Sequence, residues 1–136
     1  MKRVHRLRVD ARPEHFKSLI KAATDAGIRI GWLEFGPATV SEPLASASAA
    51  GVFRSVQVGG AVTISVKMRK GPPVIRDLLR EHFQGCSLIL VSGGEAPAAL
   101  RGGDDRWIVS AVDGAESTFT TDELVAALRR VRPFAT

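Results

Sequence analysis

Between Arg3 and Phe35 the spacing of apolar residues switches from two to three-and-four and back to two. No other feature constrains the fold as strongly, because strands repeat every two residues and helices every 3.6. Leu7 and Val9 alternate with basic residues in a predicted first strand, Arg3–Val9, where Val4 falls out of phase. Pro13 and Glu14 suit the first turn of a helix, where a backbone N–H is not needed and negative charge is favoured. Phe16, Leu19, Ile20 and Ala23 share one face of that helix, predicted over Glu14–Ala26, and Gly27 supplies its left-handed stop. Ile28, Ile30, Trp32, Leu33 and Phe35 make a second strand, closed by Gly36-Pro37.

The remaining chain repeats these signals less cleanly. The Ala- and Ser-rich stretch after Pro37 predicts a short helix, Leu44–Ala50, with Pro43 in its first turn, or else a loop. Val52–Val58 and Val62–Met68 alternate about Gly59-Gly60, a hairpin signal. Val74, Ile75, Leu78, Leu79 and Phe83 mark one face of a helix over Val74–Gln84. The near-continuous apolar run Cys86–Val91 predicts a strand covered on both faces. Ser92–Asp105 reads mostly as loop, Trp107–Val112 as a strand and Asp122–Arg132 as a last helix, with Val131 in its stripe and Pro133 as its stop. Thr120 or Thr121 can cap that helix. A hairpin excludes an all-parallel arrangement. The expected fold is α/β: a mixed sheet of roughly five or six strands with about three amphipathic helices and an internal β-hairpin, in a two- or three-layer sandwich.

A chain of 136 residues suits one compact domain, and 45% hydrophobic composition is ample for its core. The one cysteine, Cys86, cannot form an internal disulfide, as fits a reducing compartment. The basic start Met1–Arg8 is followed by no apolar run, so no signal peptide is expected. No stretch approaches the roughly 20 apolar residues of a spanning helix, so the expected location is cytoplasmic and a membrane partner is not expected.

Chemistry-bearing motifs are sparse. His5, His15, His82 and Cys86 show no paired metal-ligand spacing, and Asp104-Asp105 are two acids in a Gly-rich loop. No metal and no cofactor are therefore expected. The phosphate-cradling Gly-x-x-x-x-Gly-Lys-Ser/Thr run is absent. Ser92, Gly93 and Gly94 follow a predicted central strand, where α/β proteins bind small ligands, although their spacing matches no dinucleotide fingerprint. Cys86 and Ser92 are the candidate nucleophiles, but neither His82 nor His15 completes a base–orienter set with them. Glu34, between Leu33 and Phe35, is a carboxylate in a strand whose exposure decides its chemistry.

The net charge of +5 is unevenly spread: residues 1–69 carry 11 basic and 5 acidic side chains, residues 70–136 carry 8 and 9. Arg6 and Arg8 share one face of the first strand, with Lys2 of the same parity and Arg3 nearby, and Lys67, Arg69 and Lys70 end the hairpin. If those two strands were neighbours, one basic patch would result, suited to a nucleic-acid backbone with Trp32 or Phe53 as stacking residues. Arg76 with Arg80, and Arg129, Arg130 and Arg132, read as helix-surface charge.

Three functions are compatible with this inventory. A non-catalytic protein-interaction or assembly module, including self-association, accounts for the poor catalytic supply and for a hairpin whose edges must be covered, paired or blunted. A nucleic-acid-binding module accounts for the basic first half. A small-ligand binder or enzyme would use the Ser92–Gly94 turn.

Overall fold

The computed structural model describes residues 4–37 and 39–130. Lys2, Arg3, Val131, Arg132 and Pro133, all named above, lie outside them. The chain divides into two compact units, one holding the residues up to Gly36 and those from Glu81 onward, the other Pro37–Arg80.

The first unit opens with β1 (His5–Val9), a 3-10 turn (Pro13–Phe16), α1 (Lys17–Asp25) and β2 (Ile30–Glu34). The second holds α2 (Glu42–Ala49), β3 (Arg54–Gly59) and β4 (Val62–Lys67). The helix α3 (Ile75–His82) begins in the second unit, and its last two residues belong to the first. There follow β5 (Leu88–Ser92), β6 (Ala98–Gly103), β7 (Arg106–Ala111), β8 (Glu116–Phe119) and α4 (Thr121–Ala127).

The fold is α/β with a mixed six-stranded sheet in the order β2-β5-β1-β6-β7-β8. The strands β2, β5, β1 and β6 run parallel; β6, β7 and β8 form an antiparallel meander. That meander makes the sheet mixed. The hairpin does not contribute, because β3 and β4 pair with each other in a separate two-stranded sheet. Their turn is Gly60-Ala61, one residue later than the predicted Gly59-Gly60.

Period-two patterning explains one buried face. Leu7, Val9, Leu88, Leu90, Trp107 and Val109 point the same way and pack with Phe16, Leu19 and Ala23 of the first helical segment and Leu124, Val125 and Leu128 around α4. The Trp107 indole is fully buried yet satisfied, since its Nε1–H donates to Thr121 Oγ1 at 2.9 Å. α1 and α4 pack side by side, and Arg129 reaches across to donate to the Ala26 carbonyl oxygen at 2.6 Å. Ile89 and Val91 point the opposite way from Leu88 and Leu90 and are just as inaccessible, so β5 is covered on both faces, as its apolar run predicts.

Elsewhere the structure departs from the patterning. Ala98–Gly103 is a strand, not a loop, although Pro97 precedes it and Gly102-Gly103 end it. Pairing to β1 and β7 on both sides overrides its weak intrinsic preference. Gly102 (φ +122°) sits where a Cβ would lie 2.2 Å from the Arg106 carbonyl oxygen, so that glycine permits the tight β6–β7 connection. Glu116–Phe119 is a short, polar edge strand that no apolar alternation announces. The apolar stripe predicts a face packed on the sheet, but no residue of α3 is fully buried, and Ile75, Leu78 and Leu79 are half-buried. Periodicity identifies an apolar side without identifying what covers it. The last helix stops at Ala127, before the predicted Arg132, and tightens as the N–H groups of Arg129 and Arg130 donate to the Ala126 and Ala127 carbonyls.

Its start is better determined. Thr120 Oγ1 accepts from the Glu123 N–H at 3.1 Å and Glu123 Oε1 accepts from the Thr120 N–H at 2.9 Å, a reciprocal capping box.

Candidate functional site

Two features carry functional potential: a cleft in the first unit and an exposed hairpin in the second. The cleft, about 580 Å³, opens at the carboxyl ends of three parallel strands. Register sets its floor: Val9, Ser92 and Glu34 lie level across β1, β5 and β2. Trp32, two residues before Glu34 and on the same face, contributes to the lining, together with Asp10, Ala11, Arg12 and Pro13 after β1. The Trp32 Nε1–H donates to Glu34 Oε1 at 3.3 Å. The Arg12 guanidinium is turned to Glu14, 3.6 Å away, and both side chains are well exposed.

The double glycine after β5 has a packing reason beside any ligand role. A Cβ on Gly93 (φ +75°) would stand 2.5 Å from the Phe35 carbonyl oxygen, and one on Gly94 would stand 2.4 Å from the Phe35 ring. Ser92 and Gly93 line the cleft, while Gly94 packs under Phe35 and does not. Asp10, Trp32 and Glu34 complete a constellation that single motifs conceal, because three separate strands supply it. The sequence singles out Glu34 by its place between two large apolar residues and Trp32 as a stacking residue for nucleic acid, but not the pair as one site.

Other candidates resolve into structural roles. Asp105 Oδ1 accepts from the Thr121 N–H at 2.8 Å and the Asp104 carbonyl oxygen accepts from Thr121 Oγ1 at 3.4 Å, so the acidic pair anchors the start of α4. His15 bonds through a ring nitrogen to the Gly102 carbonyl oxygen and meets Phe16 and Trp107 edge-on. Burial pushes the half-buried Cys86 thiol up, with Arg29 opposing more weakly, which disfavours a reactive thiolate. His82 meets the Phe83 ring. Among the described residues no group of three His, Cys, Asp or Glu side chains could hold a metal ion.

The basic residues are divided between the sheets. Arg6 and Arg8 project from β1 on the face away from the apolar core, and β1 has β5 and β6 as neighbours, not β4. Lys67 ends β4 with its Nζ 5.9 Å from the Phe53 ring centroid. Arg69 Nε donates to the Gly71 carbonyl oxygen at 2.8 Å, and Lys70 is exposed beside it. The strand neighbourhood that would merge both sets on one sheet is not formed. Arg80 pairs with Asp77 at 2.9 Å, and Arg76 is exposed on the same helix.

The hairpin exposes apolar side chains on both faces. Register puts Ser55, Gln57, Ile64 and Val66 on one face and Val56, Val58, Thr63 and Ser65 on the other. The first face meets α2: Leu44 is buried, and Ser41 Oγ donates to Gln57 Oε1 at 3.3 Å. Beyond it, Val62 and Ile64 remain exposed around a hollow of about 140 Å³. On the second face Val58 is 74% exposed and Val56 55%.

Among the described residues no helix is long and apolar enough to cross a membrane. No protein-family model matches the chain, and no curated protein matches it.

Proposed function

We propose that this protein is a non-catalytic assembly module that associates with a second copy of itself through the β3–β4 hairpin. One observation carries this: a two-stranded sheet, paired to no further strand among the described residues, exposes Val56 and Val58 on one face and Val62 and Ile64 on the other. An isolated two-stranded hairpin is marginal in water, and extended apolar patches on soluble domains are typically interaction sites. Its edges also offer backbone groups for pairing. The Met68 N–H donates to the Phe53 carbonyl oxygen. That phase turns the backbone groups of Ser55, Gln57, Ile64 and Val66 inward and those of Val56, Val58, Thr63 and Ser65 outward.

Charge selects the mode of pairing. Lys67 is the one charged residue of β4. Antiparallel pairing of two β4 strands about a two-fold axis at Ser65 sets Lys67 of one copy beside Thr63 of the other. Parallel in-register pairing would oppose two lysines, which is unfavourable. The two-fold arrangement also closes, giving a dimer and not a fibre. A nucleic-acid face draws less support, because Arg6 and Arg8 stand on a different sheet from Lys67.

Light scattering across a concentration series tests the proposal on the full chain. A concentration-dependent dimer is expected, with Thr63→Pro shifting it to monomer while the far-ultraviolet spectrum stays native-like. Val58→Lys, which leaves the backbone edge intact, should weaken the dimer through the exposed face. A strict monomer at every concentration, or a dimer indifferent to both substitutions, overturns it.

A further inference from the structure

β1 and β5 are neighbours, yet the chain leaves β1 toward β2 on one side and leaves β5 toward β6 on the other. The crevice outside the carboxyl ends of parallel strands is the general ligand position in open α/β sheets. The cleft lies at this point, and its volume of about 580 Å³ falls within the roughly 300–1,000 Å³ of small-ligand sites. Its chemistry is specific. Glu34 and Asp10 contribute carboxylates from either side of β5, Trp32 an aromatic ring and Ser92 a hydroxyl.

We propose that this cleft binds a small organic cation, an ammonium or guanidinium group held between Glu34 and Asp10 against the Trp32 ring. Both carboxylates lack a cationic partner among the described residues, whereas Asp25, Asp77 and Glu116 pair with Lys21, Arg80 and Arg101. The Trp32 N–H engages Glu34 Oε1 and leaves Oε2 uncommitted. This juxtaposes an anionic oxygen with an indole, the combination that attracts a cation electrostatically from two directions. Arg12, the one basic side chain in the lining, is turned to Glu14, so the cleft carries excess negative charge. That excess opposes a phosphate ligand. A hard dication would find two carboxylates and no third, keeping most of its water, and the indole would add nothing to its binding. The site is independent of the hairpin, since all its residues belong to the first unit.

The test is a nuclear magnetic resonance titration of the full chain, following the Trp32 indole N–H. Spermidine represents a free polyamine, and N-acetyl-argininamide represents a peptide side chain; the tighter binder distinguishes these sources. A saturable shift is expected with at least one. Glu34→Gln and Asp10→Asn should each weaken that binding about tenfold, as loss of a charge-assisted contact does. Both positions are exposed, so native spectra are expected for the variants. Absence of saturation with both probes overturns the proposal, as does unchanged affinity in both variants. A saturating response to magnesium that displaces the organic cation would identify a metal site and overturn it equally.

Discussion

Val91 and Val58 are the same residue type, and both lie in β-strands, yet the first is fully buried and the second 74% exposed. The difference lies in their neighbours. Val91 sits in β5, flanked by β2 and β1 in a six-stranded sheet, whereas Val58 sits in a hairpin whose helix meets the opposite face. β-branched residues favour both places because each is a pleated surface, and strand preference is indifferent to whether the surface is covered. Burial is a property of layers. The core face of the six-stranded sheet is covered by α1 and α4 within its own unit, whereas the hairpin has α2 on one face and leaves Val56 and Val58 exposed on the other.

The largest effect should come from the covered sheet. Leu90→Ala removes a fully buried side chain and should cost about 2–5 kcal/mol in equilibrium urea unfolding. A loss near zero would dissolve the contrast between the regions. Leu44→Ala should cost about 2 kcal/mol, because Leu44 is the buried apolar residue of α2. Hydrogen exchange should localise that loss to β3 and β4, with the β1 and β5 amides keeping their protection. Uniform loss would mean that the two regions unfold together. Thr120→Ala breaks the capping box of α4, part of the layer over the sheet, and should cost about 1 kcal/mol by thermal unfolding. Val58→Ala, measured on dilute protein, should change stability by less than about 0.5 kcal/mol, whereas at dimer-forming concentrations it should weaken association.

The smallest effect is at the sheet's exposed edge. Hydrogen bonds from Arg101 and Ser110 hold the Glu116 carboxyl below its ordinary value, with the Arg101 charge adding to them. A lowered folded value means that ionised Glu116 favours the native state above pH about 4.3 and that this contribution fades as pH falls through the lowered value. The melting temperature of Glu116→Gln should therefore lie slightly below the parent at pH 7 and converge with it in acid. A constant offset across that range would assign the effect to packing instead of charge.

The legible elements share a physical basis. The Phe16–Ala23 stripe, the alternation of Val62, Ile64 and Val66 and the unbroken Leu88–Val91 run are local periodicities, and each became the expected element. β6 and β8 were illegible because Ala98–Gly103 and Glu116–Phe119 have weak preferences that pairing overrides. In the cleft, Ser92 and Gly93 could be found after a central strand. Asp10 and Trp32 could not, since their proximity follows from strand order, which no local pattern encodes.

The sequence by itself determined the α/β character, the first and last covering helices and a hairpin of β3 and β4, because hydrophobic period, capping and turn chemistry act within a few residues. Only the tertiary structure decided that β5 inserts between β1 and β2, that the hairpin stays outside the main sheet and that Glu34 and Ser92 share a cleft. These outcomes depend on pairings between segments tens of residues apart. Their selection depends on which edges and faces find partners, a competition settled by the folded chain as a whole.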